Sequence, residues 1–171
     1  FHGCEYCTAG HTFLSRKAGV PEDVIQAIRN RAPIADERLE ALRRFAETAL
    51  AARELSIEPA SADASFRSYW RVTLADGSTR VVMDAPPDKE NIAAWLDIGA
   101  RLHGAGLHVP EVFAVDRAQG FILMEDLGSR AYLPELNDAT ADALYADALD
   151  ALLRMQTNVD PAGLPVFDEA F

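Results

Sequence analysis

Polar and apolar residues alternate over residues 67–74, and this alternation predicts a β-strand with one buried face. Asp76-Gly77 follows at the centre of a tight turn, and residues 80–83 form the return strand, which Pro86-Pro87 ends. The sequence therefore predicts a β-hairpin. A loop of small and polar residues leads into its first strand.

The residues after the hairpin predict two more helices and two more strands. Asp88 is expected to cap a helix over residues 89–105, and a last helix is expected over residues 138–156. Between them, residues 112–115 and 121–124 are short apolar runs typical of strands. The apolar residues of the last helix that are expected to face inward are Leu144, Ala148, Leu149, Leu152 and Leu153. An antiparallel sheet with a packed helix belongs to the α+β class.

The first 54 residues show only helical patterns. Helices are expected over residues 8–18, from Pro21 onward, and over residues 36–53. Residues 1–55 contain eight basic and eight acidic residues, whereas residues 56–171 contain eight basic and 19 acidic ones. This step in charge predicts two parts of different origin, a helical domain at 1–54 and a second domain at 55–171.

The overall charge and the cysteine content exclude several classes of protein. A formal net charge of −11 argues against a nucleic-acid partner, because phosphate contacts need a basic face. No apolar run approaches the ~18 residues that cross a membrane, and no signal peptide is evident. The chain begins at Phe1 without Met, which suggests a processed or fragmentary product. Cys4 and Cys7 are the only cysteines, so a reducing, cytoplasmic location is expected.

Cys4, Cys7 and His11 lie at spacings that share one face of a helix. A thiol near a helix N-terminus has a lowered pKa, so one thiolate can attack an oxidant and the other can resolve it as a disulfide. Two other interpretations remain open. The three residues, with His2 as a fourth ligand, can bind zinc, or the cysteines can be small buried residues without chemistry.

The run CEYCTAGHTFLSRKAGVPEDVIQAIRNRAPIADERLEALRRFAETAL resembles the alkylhydroperoxidase D / carboxymuconolactone decarboxylase family. The resemblance covers residues 2–50 and implies an all-helical fold. It implies Cys7 as the thiol that attacks peroxide, Cys4 as its resolving partner and His11 in the proton relay. The upstream helices of that family, which carry an acidic relay residue, precede the matched run and are not in this sequence.

A second resemblance covers residues 55–171. The runs PASADASFRSYWRV, RVVMDAPPDKEN and LHVPEVFAVDRAQGFILMEDLG resemble the aminoglycoside phosphotransferase-like kinases. The DASFR and MDAPP runs look closest to the bacterial N-acetylmuramate/N-acetylglucosamine anomeric kinases of cell-wall recycling. The resemblance implies a protein-kinase-like small lobe that uses ATP and Mg²⁺ and acts on a small sugar.

The second resemblance also implies the residues of a nucleotide site. A loop covering the ATP phosphates would contain Asp63, Ser65, Phe66 and Arg67. The hinge whose backbone binds adenine would be formed by Met124, Glu125, Asp126 and Leu127. Asp84 occupies the place where the general kinase pattern has a lysine on the third strand. The cations that are candidates to replace this lysine are Lys89, Arg80 and Arg67, and Glu90 is the candidate for the helix acid.

Three hypotheses about function follow. The chain is the small lobe of a sugar phosphotransferase, a CxxC-dependent peroxidase, or a non-catalytic fusion of two truncated fragments. The catalytic loop of the kinases contains a histidine, and no histidine follows His108, so weak nucleotide binding without turnover is expected. Each part also lacks elements of its family, so exposed apolar patches and a homo-oligomer are expected.

Overall fold

A five-stranded antiparallel sheet runs through the part of the chain described by the computed structural model, which is residues 37–62 and 65–165. Its strands are β1 (Leu55–Ala62), β2 (Ser68–Leu74), β3 (Thr79–Asp84), β4 (Val112–Asp116) and β5 (Phe121–Glu125). The order across the sheet is β1-β2-β3-β5-β4, and every neighbouring pair is antiparallel. The predicted α+β class is therefore confirmed.

The predicted hairpin joins β2 to β3. Across its turn, the Leu74 amide donates to the Ser78 carbonyl at 2.9 Å, and the Gly77 amide donates to the Leu74 carbonyl at 2.9 Å. Gly77 has φ +84°, a conformation that glycine adopts without steric cost. The Asp76 carboxylate accepts a hydrogen bond from the Ser78 amide, and this contact stabilises the turn.

Strand β1 forms one edge of this sheet, as its place in the strand order shows. It pairs with β2 from Leu55 opposite Leu74 to Ala62 opposite Ser68. The register shifts between Pro59 and Ser61, where the strand contains an irregularity.

Four helices accompany the sheet in the described residues. They are α1 (Glu37–Leu50), α2 (Ile92–Gly104), the single-turn α3 (Tyr132–Glu135) and α4 (Ala141–Asn158). The prediction that Asp88 caps α2 is wrong, since the cap is Asn91, whose Oδ1 accepts from the Ala93 amide at 3.0 Å. The Pro86 carbonyl accepts both the Lys89 and the Glu90 amides, and this turn delays the helix.

The core between α2 and the sheet consists of side chains from β3, β5 and the start of the helix. Its buried members are Met83, Ala85, Ile92, Ile122 and Met124. Trp95 and Leu96 of α2 pack against this cluster. Phe121 and Leu123 are also fully buried, so β5 is covered on both faces, and it lies between β3 and the edge strand β4.

The last helix does not bury the side that its sequence predicted. Leu149 is 62% exposed, Leu153 is 58% exposed and Leu152 is 42% exposed, whereas Leu144 is half-buried. The end of the helix is nevertheless tied to α2. Arg101 donates from one terminal nitrogen to the carbonyls of Asp160 and Ala162, at 2.6 and 2.9 Å.

The chain divides into two compact units, residues 1–45 and residues 46–171. The dividing point falls within α1, which is acidic in its first turn, as the positive helix end favours. The helices predicted before residue 37 lie outside the described residues. The domain boundary predicted between residues 54 and 55 stays a prediction.

Candidate nucleotide site

The loop between β1 and β2 is attached to the segment that precedes α2. The Phe66 amide donates to Oε1 of Glu90 at 3.1 Å, and the Lys89 ammonium lies 4.9 Å from the centre of the Phe66 ring. The Phe66 side chain itself is 64% exposed. The loop is thus held by its backbone and by a cation–π contact, and its aromatic ring stays available to a ligand.

Ser65 and Arg67 stabilise the same loop locally. The Arg67 amide and its Nε both donate to Oγ of Ser65, at 3.1 and 2.9 Å. This turn presents a guanidinium at the start of β2. Asp63, the first residue predicted for the loop, lies outside the described residues.

Asp84 ends β3 at the same end of the sheet as this loop. It lies opposite Ser68 of β2 and opposite Phe121 of β5. Only 8% of Asp84 is exposed, so the carboxylate does not form a solvated surface. The backbone position that the kinase pattern gives to a lysine therefore holds a buried acid.

The candidate cations for the missing lysine occupy different places. Arg80 turns away from the loop, because its guanidinium stacks 4.8 Å from the centre of the Phe113 ring and donates to the Thr79 carbonyl. Lys89 and Arg67 both lie at the β1–β2 loop, as described above. Two of the three candidates thus remain near the expected phosphate position.

Glu90 precedes α2 and does not lie in its first turn, where the structure places no acid. Its role in the described residues is to accept the Phe66 amide. Glu90 connects the loop to the segment after β3.

The hinge residues lie at the opposite end of β5. Met124 is only 4% exposed and belongs to the core, so its side chain does not face a ligand. Leu127 is 50% exposed, and its amide has no acceptor within the described ranges. A main-chain donor that has no acceptor among residues 37–62 and 65–165 therefore follows directly after β5.

Glu125 interacts with Glu111 in an unusual way. The Glu125 amide donates to the Glu111 carbonyl at 2.8 Å, but the Glu111 amide donates to the carboxylate of Glu125, at 3.2 Å. In a regular antiparallel ladder, opposed residues exchange both bonds through their carbonyls. The carboxylate of Glu125 has replaced its own carbonyl as the acceptor.

Asp126 has its side chain fully engaged. Arg71 of β2 binds both carboxylate oxygens, at 2.6 and 3.1 Å, and the Gly128 amide donates to Oδ1 at 2.9 Å. The side chain is 5% exposed. The hydrogen bond from Arg71 lowers the pKa of Asp126 to about 2, with smaller contributions from Gly128 and Thr79, against the opposing effect of burial. This carboxylate fixes the hinge and is not available to a nucleotide.

The loop and the hinge are separated by the length of β5. Phe121 lies opposite Asp84 and Glu125 lies opposite Arg80, so the two ends are four residues apart. At about 3.3 Å per residue, this is about 13 Å. The strip between the predicted hinge and the predicted phosphate loop is therefore comparable with the length of an extended nucleoside triphosphate.

The sequence did not reveal two of the residues that shape this site. Arg71 and Asp126 are 55 positions apart, and Glu111 is 14 positions from Glu125. The signal for Arg71 is that it is the one charged residue within strand β2. Nothing in the sequence distinguishes Glu111 from the other acids of this acidic region.

The structure does not test the other predicted chemistry. Cys4, Cys7 and His11 lie outside the described residues, so their redox role stays a prediction. Among residues 37–62 and 65–165, no group of three or more His, Cys, Asp or Glu side chains is arranged to hold a metal ion. No helix in the same residues is long and apolar enough to cross a membrane.

Comparison with known proteins assigns the region of the sheet to a family. The model of the phosphotransferase enzyme family (APH) matches residues 56–170, and the chain belongs to this family. Its antiparallel sheet with packed helices is a kinase-like small lobe. The match begins after residue 55, so the alkylhydroperoxidase resemblance of residues 2–50 has no counterpart in it.

Curated relatives share the same region. An N-acetylmuramate/N-acetylglucosamine kinase of Pseudomonas aeruginosa is 50% identical over 113 residues, which are 66% of this chain and 33% of the relative. The kinase of the same name from Pseudomonas putida is 46% identical, over 67% of this chain and 34% of the relative. That of Neisseria meningitidis serogroup B is 34% identical, over 74% and 39%. The chain thus spans about a third of the length of these relatives.

Proposed function

We propose that residues 55–165 form the nucleotide-binding small lobe of an ATP-dependent sugar kinase. The observation that carries the proposal is the strip along β5. It has an unpaired Leu127 amide at one end and the anchored loop of Phe66 at the other. A purine edge needs one donor and one acceptor close together, and a triphosphate needs cations at the far end.

The substrate is proposed from the relatives. Three proteins that resemble this region bear the name N-acetylmuramate/N-acetylglucosamine kinase, so an amino sugar of this kind is the acceptor that we propose. In the reaction, a sugar hydroxyl oxygen forms a bond to the γ-phosphorus of ATP, the bond from that phosphorus to ADP breaks, and the hydroxyl loses its proton. Within the described residues we assign binding roles and no base for that proton.

The geometry supports a binding role for three residues. Leu127 offers its amide to the adenine, and the Phe66 ring and the Arg67 guanidinium flank the phosphates. The family also implies Mg²⁺, which would neutralise negative charge on the phosphates during transfer. The described residues do not form a metal site by themselves, and Asp84 is a single buried carboxylate. No step of the proposal therefore depends on the ion.

Two experiments test this function. The first is titration of the chain with a non-hydrolysable ATP analogue, followed by the amide resonances of residues 124–127 and 65–67. Both groups should shift together and saturably. Shifts that are absent, or that are confined to the loop, would contradict the nucleotide site.

The second experiment tests the sugar. Residues 56–165 replace the matching third of the Pseudomonas aeruginosa relative, and transfer of phosphate to N-acetylmuramate and N-acetylglucosamine is measured. The hybrid should phosphorylate both sugars in an ATP-dependent manner. A folded hybrid that binds ATP but transfers no phosphate to either sugar would contradict the proposed substrate, but not the proposed nucleotide site.

A further inference from the structure

The main-chain hydrogen bonding between β4 and β5 is incomplete at the last pair of opposed residues. Val112 lies opposite Met124, and the next opposed residues are Glu111 and Glu125. Only one of their two main-chain hydrogen bonds forms, from the Glu125 amide to the Glu111 carbonyl. The second donor, the Glu111 amide, is taken by the Glu125 carboxylate.

The orientation of the strand decides what this leaves open. In a β-strand, the amide and the carbonyl of one residue face the same neighbouring strand, and the next residue faces the other side. The Glu125 amide faces β4, so its carbonyl faces that side as well. The Leu127 amide follows two residues later, where the Asp126 carboxylate accepts the Gly128 amide. The Glu125 carbonyl and the Leu127 amide are thus an acceptor and a donor within the same three residues.

We infer that the Glu125 carboxylate is a positioning group, which takes the Glu111 amide and thereby keeps the Glu125 carbonyl open for the amino group of adenine. This inference rests on the proposed nucleotide site and gives it a base preference. Adenine offers an amino donor beside a ring-nitrogen acceptor, which matches the Glu125 carbonyl and the Leu127 amide. Guanine offers an oxygen acceptor beside an N–H donor, which places like groups against each other. The hinge should therefore select ATP over GTP.

Without the Glu125 carboxylate, the Glu111 amide should bond the carbonyl at position 125 and make it unavailable to adenine. In E125A the Glu111 amide has no carboxylate, and the carbonyl at position 125 is the nearest acceptor that completes the ladder. Adenine then competes with a main-chain donor for that carbonyl. E125Q removes the charge but keeps a side-chain oxygen that accepts the Glu111 amide, so it should retain the behaviour of the unchanged chain.

The experiment measures dissociation constants of the 171-residue chain and its variants for non-hydrolysable ATP and GTP analogues. E125A should lose about three- to tenfold in affinity for the ATP analogue, the value of one neutral hydrogen bond. Its affinity for the GTP analogue should not fall, so the ratio of the two affinities should change by the same factor. E54A, which removes an exposed carboxylate before β1, should change neither affinity.

A second measurement needs no nucleotide. The Glu111 amide resonance should move in E125A, because its acceptor changes from the carboxylate to a main-chain carbonyl. The inference is overturned if E125A keeps the ratio of the unchanged chain, if E125Q changes the ratio as much as E125A does, or if the Glu111 resonance is the same in E125A as in the unchanged chain. Failure of the unchanged chain to bind any adenine nucleotide would instead overturn the proposed function, and the inference with it.

Discussion

Arg71 binds both carboxylate oxygens of Asp126 and thereby fastens the hinge to the second strand of the sheet. The pair is bidentate, and its acid is almost fully buried at 5% exposure. Such pairs are stronger than exposed ion pairs, since the guanidinium fork matches the carboxylate and water is excluded. The hinge therefore owes its position to a contact between residues that are distant in sequence.

Stability should depend on pH through Asp126. Its pKa is lowered from 3.8 to about 2 in the folded chain, so folding favours the ionised form. The contribution, about 2 kcal/mol, is fully present above about pH 4 and is lost as the pH falls toward 2. D126N should therefore be about 2 kcal/mol less stable than the unchanged chain at pH 7, and the difference should shrink in acid. Urea unfolding at several pH values measures it.

The matched control for Asp126 is D97N. Asp97 pairs with Arg101 four residues along α2, but its side chain is 52% exposed. Exposed pairs of this kind contribute only a few tenths of a kcal/mol. A D126N variant whose loss is as small as that of D97N, or is the same at every pH, would disprove the role of the pair.

Gly120 should not tolerate alanine. It has φ +74°, and a Cβ built on it would lie 1.9 Å from the Ala85 carbonyl oxygen. This oxygen belongs to the backbone, so it cannot move aside by a side-chain rotation. The Ala85 amide is also bonded to the Gly120 carbonyl at 2.9 Å. We expect G120A to cost more than about 3 kcal/mol in free energy of unfolding, because the clash adds to the strain of positive φ.

The control for Gly120 is G77A. Gly77 has φ +84°, but no atom lies within 4 Å of the added Cβ. Its cost should be only about 1 to 2 kcal/mol, which is the conformational part alone. Equal losses in the free energy of unfolding of the two variants, measured with urea, would show that the contact with Ala85 does not destabilise G120A.

The loop of Phe66 should depend on Glu90. E90A removes the acceptor of the Phe66 amide, so exchange of that amide with solvent should accelerate. Affinity for an ATP analogue should fall several-fold while the unfolding midpoint changes little, because the contact is exposed. E90Q keeps an oxygen acceptor and should restore both properties. Unchanged affinity in E90A would mean that the anchoring of the loop is irrelevant to the nucleotide.

The exposed side of α4 should drive self-association. Tyr145, Leu149 and Leu153 lie four residues apart along the helix, with exposures of 60, 62 and 58%. Apolar side chains that recur at this spacing form a stripe, and exposed stripes favour association. The double variant L149K/L153K should reduce the sedimentation coefficient of the chain at high concentration. A143K/A151K, on exposed positions away from the stripe, should not.

Local patterns predicted much of the lobe. The Asp76-Gly77 turn, the strands on either side of it and the existence of α2 all follow from neighbouring residues, and the structure confirms them. The start of α2 was placed wrongly because Asp88 and Asn91 are both good caps. The choice between them depended on the Pro86 carbonyl, which accepts the Lys89 and Glu90 amides.

Contacts between distant residues limited what the sequence could tell. A periodic apolar face predicts that a helix has an inner side, but it does not say whether an element covers it, and on α4 Leu149 and Leu153 stay exposed. The hinge was predicted as a stretch, whereas the separate roles of Asp126 and Glu125 depend on Arg71 and Glu111. Such partners are set by sheet pairing and not by spacing along the chain.

Pro59 gives the edge strand a protective property. A strand at the border of a sheet offers its main-chain groups to other chains and can start intermolecular β-stacking. Proline has no amide hydrogen, and in β1 the pairing register also shifts between Pro59 and Ser61. A foreign strand that approached this border would therefore meet an interrupted row of donors. Pro59, at the irregularity of the first strand, thus also makes the border of the lobe a poor template for amyloid-like growth.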